Sequence, residues 1–238
     1  SQAIFSGGGT IANGTIMFWT NTTGSAAVGH IHVVSNLTLN ASIVGTPGSA
    51  ATRLAIGGPG VLFLGAASDT GPVMLTGGAT LKTTASDVIV DNQAMAVDQG
   101  HLWIGDGLTE RTGYLRGGGQ SQVTIGTNAV LAIDQGTSDS FYGLLNSPAS
   151  GTFVKMGTGT LSYRNQATNF FGKVILLGGT FELIDRNGRL QASSAITFEM
   201  TNAVLELDSQ PGADNANQAD RINNESDLYL AAGTINMR

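Results

Sequence analysis

The chain has 238 residues, 41% of them hydrophobic, with 34 glycines, only 12% charged residues and no cysteine. That apolar content is enough to bury a core and excludes wholesale disorder, and the lack of cysteine excludes disulfide stapling and thiolate chemistry. The formal charge of -6, with eleven scattered lysines and arginines, offers no basic face for nucleic acid, and no apolar stretch approaches the ~20 residues of a membrane helix.

From the amino terminus onward the chain reads as short alternating apolar runs with no helical stripe. One set comprises Leu37 to Leu39, Val61 to Leu64, Ala79 to Leu81, Leu102 to Ile104, Val123 to Ile125, Leu161 to Tyr163, Phe181 to Leu183, Leu205 to Leu207 and Leu228 to Leu230. A second set falls between these: Ile43, Leu54 to Ile56, Val73 to Leu75, Val88 to Val90, Val130 to Ile133, Val174 to Leu177, Ile196 to Phe198 and Ile235. Alternation with period 2 turns one side of each strand inward and the other to solvent. Glycine-rich steps such as Gly57-Gly58, Gly77-Gly78, Asp106-Gly107 and Gly178-Gly179 supply the positive φ that sharp corners require. Asn36, Asn128, Asn169 and Asn202 are expected at or near turns.

The runs recur about every 20–24 residues, the signature of a solenoid. The predicted fold is therefore all-β: one single-stranded parallel β-helix (β-solenoid) over residues 1–238, with roughly eleven rungs of about 22 residues and a length near ~50 Å. An antiparallel β-sandwich is the competing arrangement, because the same glycine-bounded strands form hairpins there. The wider gap between Ile125 and Leu161, containing Phe141, Tyr142 and Pro148, predicts a loop protruding near residues 135–150. Ser1 is not an initiator methionine, and Arg238 directly follows strand-like sequence from Gly233 to Met237. The segment is thus expected to continue into further repeats or to associate with other copies, since uncapped rungs expose unpaired backbone.

The clearest copy of the repeat runs from Gly151 to Leu183, with Lys155, Gly157, Gly159-Thr160-Leu161, Asn169, Phe170, Gly172, Val174, Gly178-Gly179-Thr180 and Leu183 as its pattern positions. This stretch, about one seventh of the chain, resembles the autotransporter-associated β-strand repeat of bacterial autotransporter passengers and related giant surface proteins. The resemblance implies a right-handed parallel β-helix, export to the cell surface, and a role in adhesion, spacing or surface structure. No membrane barrel accompanies the repeat in this sequence.

His30 and His32 share one strand face, but two imidazoles do not complete a metal site, and His101 lies far along the chain. Glu182 with Glu206, and Asp185 with Asp208, recur one turn apart as oxygen ligands for calcium would, yet the preceding rung offers Ser162 instead of an acid. Asp87, Asp91, Asp98, Asp106 and Glu110 gather near Trp103 and Arg111; paired carboxylates beside an aromatic platform are what glycoside chemistry needs, and acids at turns are what any acidic β protein carries. Trp19 and Trp103 are read as fillers or as sugar contacts. Sequons at Asn13, Asn21, Asn36, Asn40 and Asn224 matter only where the source modifies asparagine. No phosphate-binding loop or nucleophile motif occurs. The expected function is a non-enzymatic extracellular structural segment without catalytic residues, metal or cofactor; its partners are other copies or flanking repeats, and the alternatives are an adhesin that binds a surface glycan or host receptor and a β-helical polysaccharide lyase or hydrolase.

Overall fold

In a computed structural model of the chain, residues 2–5, 8–18, 28–45, 53–185, 187–208 and 220–238 are described. The alternation becomes three parallel sheets around a shared core. The first sheet has eleven strands, running from Gln2–Phe5 through Ala94–Val97, Tyr114–Gly117, Asp139–Phe141 and Thr160–Tyr163 to Thr234–Met237. The second has nine, including Leu37–Val44, Thr80–Thr83, His101–Ile104, Gln122–Ile125 and Leu144–Ser147. The third has six, from Thr109–Thr112 to Asp227–Leu230. Every ladder between described strands is parallel, as with Thr160 to Leu161 against Thr180 to Phe181 and Leu102 against Leu81 and Val123. The sandwich alternative is thereby replaced by a β-solenoid.

The molecule departs from the sequence-based expectations in three respects. First, the turns are uneven where one period of about 22 residues was expected: the outer ones are longer, with Gln2 paired to His30, Val28 to Arg53 and Ala195 to Asp227, while the first sheet carries eleven strands, one to a rung. Next, the apolar run aligned as one series spans three faces. Leu37, Leu102 and Val123 lie on the second sheet, Leu161, Phe181 and Leu205 on the first, and Leu228 on the third. Periodicity gives the inward side of a strand but not the face it belongs to.

Third, residues 135–150 do not protrude. Gln135 is fully buried, Asp139–Phe141 joins the first sheet and Leu144–Ser147 the second, with Phe141 and Leu145 in the core. These strands looked like a loop because their half-buried positions are Asp139, Ser140 and Asn146.

The core runs continuously along the axis. Leu161, Tyr163, Val174, Leu176, Phe181 and Leu183 are all at most 1% exposed, as their stacking requires. Phe141 stacks on Tyr163 with centroids 6.3 Å apart, and Phe181 follows at 6.5 Å. Each such buried side chain contributes roughly 1.5–3 kcal/mol, and most of that burial comes from the turns above and below rather than from its own turn.

Candidate functional site

The pattern positions of the repeat stretch serve the stacking. Thr160 and Leu161 pair with Thr180 and Phe181 one turn on; Leu183 pairs with Tyr163 and Leu207; Val174 pairs with Phe153 and Ile196; and Asn169 pairs with Asn146. Gly157, Gly159, Gly178 and Gly179 form the corner between the third and first sheets. Gly179 has φ +61, and a Cβ there would sit 2.4 Å from the carbonyl oxygen of Gly159. At Gly172 a Cβ would meet the carbonyl oxygen of Gly151 at 2.5 Å, so the turns lie too close there for any side chain.

Lys155 explains why a lysine belongs in this corner. It occupies a core position between Ile133 and Leu176 in register and is fully buried. Its stem fills the apolar ladder. Its ammonium donates to the carbonyls of Met156 (2.8 Å), Gly157 (3.4 Å) and, one turn on, Gly178 (3.1 Å). Burial pushes its pKa down to about 8.

The same device recurs along the corners, unforeseen in the sequence. Ser68 donates to the carbonyl of Val88, Thr112 to that of Gln93, and Ser121 to that of Val97. Arg221 donates to the carbonyls of Leu183, Gly188 and Asp208. Glu110 works with the opposite polarity. It stands at an inward position, fully buried, and accepts the backbone N–H groups of Val88 (3.0 Å) and Ile89 (3.1 Å) from the turn before. Burial raises its pKa to about 7, with Asp87 and Asp91 adding to the rise. Residues 88 and 89 form no strand; the carboxylate takes the N–H groups that a ladder would otherwise occupy, and the third sheet starts at Glu110's own strand. Such polar groups were hidden because each stands where the alternation predicts an apolar side chain.

The other candidates scatter. His30 and His32 are both exposed on one face, whereas His101 bonds Thr124 on the second sheet. Trp103 is half-buried, its ring covered by the Lys82 ammonium at 3.7 Å and stacked beside His101; Trp19 lies outside the described residues. Of the acids near Trp103, Glu110 is spent on backbone and Asp106 accepts the N–H of Thr127.

Glu182, Glu206 and Asp208 bring carboxylate oxygens within 4.8 Å of one another. Arg238 already pairs with Glu206 at 3.0 Å and Ser162 donates to Glu182, so a guanidinium sits where a cation is wanted. Asp185 pairs instead with Arg164.

The outer face of the first sheet carries a concavity. Met74, Ala96 and Arg116 stand in register on neighbouring strands, with Ser140 on the next. A groove of about 530 Å³ is lined by these four and by Asp98, Gly117, Gly118, Asp139 and Tyr142. A second hollow of about 290 Å³, at the other end of strand Tyr114–Gly117, is lined by Asn92, Tyr114, Asp134 and Thr137. Comparison with family models, curated proteins and solved structures finds no match to this chain.

Proposed function

We propose that this chain is a non-enzymatic structural segment of a bacterial surface protein: an extracellular solenoid of the autotransporter-repeat type that extends and spaces, and that joins other copies or flanking repeats through its open ends. The observation that carries this reading is the use made of the repeat pattern. Lys155, the corner glycines and the Thr-Leu steps are all consumed in seating one turn on the next, which is the chemistry of extension rather than of a reacting cleft. The edges agree with it. Among the described residues, Gln2–Phe5 and Thr234–Met237 pair on one side only, and Leu228, Tyr229, Leu230 and Met237 are exposed beside the latter edge, a surface that a further rung would cover.

Electron microscopy of the native material tests the reading. Rods or fibres with a solenoid cross-section are expected, and discrete one-subunit globules would end it. Turnover of any member of a panel of acidic and neutral polysaccharides, with and without calcium, would overturn the non-enzymatic part separately.

A further inference from the structure

We infer that the groove on the outer face of the first sheet binds a neutral oligosaccharide lying along the solenoid axis. Four consecutive rungs contribute to it, through Met74, Ala96, Arg116 and Ser140, so it runs about 14 Å at the usual strand spacing. Its depth comes from small residues: Ala96 and Gly118 fill little of it, between exposed Met74 and exposed Tyr142.

The Tyr142 wall is held in place before any ligand arrives. Its backbone N–H donates to the Gly117 carbonyl at 2.9 Å, and its own carbonyl accepts from Asn165 at 2.6 Å. The Arg164 guanidinium lies 5.5 Å from its ring centroid. Arg164 is itself anchored by Asp185 and reaches the Ser140 hydroxyl. A site fixed in this way loses little ordering entropy on binding.

The chemistry of the lining selects the ligand class. Tyr142 and Met74 offer apolar surface to the C–H faces of sugar rings. Arg116 donates hydrogen bonds to hydroxyl oxygens, Asp98 accepts them from hydroxyl groups, and Ser140 does both. The Asp98 carboxylate lies against the floor, 3.6 Å from where a Cβ on Gly118 would be. A peptide strand finds no purchase by sheet addition, since all four strands are interior to the eleven-stranded sheet with both edges paired. A polyanion is disfavoured by Asp98, Asp139 and the chain's charge of -6.

Calorimetry on the full chain, with cellohexaose, maltohexaose and chitohexaose as neutral probes and polygalacturonate as the anionic one, tests the inference. At least one neutral probe should bind. Tyr142→Ala, and separately Arg116→Ala, should weaken it at least tenfold with an unchanged circular dichroism spectrum and melting temperature, while Trp103→Ala on the second sheet leaves it intact. Silence from every neutral probe, a preference for polygalacturonate, or binding that survives Tyr142→Ala and Arg116→Ala or is lost with Trp103→Ala would each overturn the assignment. None of these outcomes bears on whether the molecule forms rods, so this inference and the structural one fail independently.

Discussion

At the scale of single residues, buried polar side chains at the corners decide whether one turn can rest on the next. A corner leaves carbonyls and N–H groups without ladder partners, and an unmade buried hydrogen bond costs about 1–3 kcal/mol. Lys155→Met keeps the apolar stem but strands the Met156 and Gly178 carbonyls; a loss of about 1–3 kcal/mol in urea denaturation is expected, and a Met variant as stable as the parent would show that the ammonium is dispensable. Glu110 makes a pH prediction. Its native pKa of about 7 lies above the usual 4.5, so between those values the folded protein holds a proton that the unfolded chain has released. The contribution is fully present below pH 4.5 and is lost as pH rises through about 7. Burial lowers the pKa of His101, which gives a slope of opposite sign just below neutrality, so the informative quantity is the difference between parent and Glu110→Gln. That difference in unfolding free energy should change across pH 4.5–8; a flat difference would refute the assignment.

At the scale of elements, the unit of the molecule is one turn, and deletions should respect it. Asp134 pairs with Met156, so excising residues 135–156 removes one whole turn and leaves the flanking strands in register. Excising residues 135–150 instead deletes two strands of a turn and keeps its third, which shifts every later strand against its ladder. The first variant should retain a β-type circular dichroism spectrum and cooperative melting, and the second should not. Equal tolerance of the two would return this stretch to the status of a loop. The sequence made the strands and their inward sides legible, because alternation depends only on local chemistry: Leu161, Tyr163, Phe181 and Leu183 were placed correctly inside. It did not reveal which of three faces a run belongs to, since that depends on corner geometry between runs. Nor did it mark the groove, whose room at Ala96 and Gly118 is defined by what those residues lack. Glu110 read as a surface acid because nothing local announces that two N–H groups from the preceding turn await it.

At the scale of the whole molecule, a stack in which each turn touches only its neighbours should not behave as a uniform cooperative block. Three sheets wrap the core from Thr109 onward, whereas among the described residues before it only two do. The end turns also have the longest register offsets, as in Gln2 with His30 and Ala195 with Asp227, against Ala94 with Tyr114 and Thr160 with Thr180 nearer the middle. Longer connections cost more closure entropy and contribute fewer ladder bonds per residue. Native-state hydrogen exchange should therefore show the slowest amides between residues 109 and 183, with protection falling toward Gln2–Phe5 and Thr234–Met237. Phe181→Ala, which opens the aromatic stack at Tyr163 and Phe153, should cost about 3–5 kcal/mol locally. It should lower protection in the first-sheet strands Thr160–Tyr163 and Ala203–Leu207 on either side far more than in the distant strand Leu37–Val44. An equal drop in all three would mean that the turns unfold as one, and that the coupling between them reaches far beyond nearest neighbours.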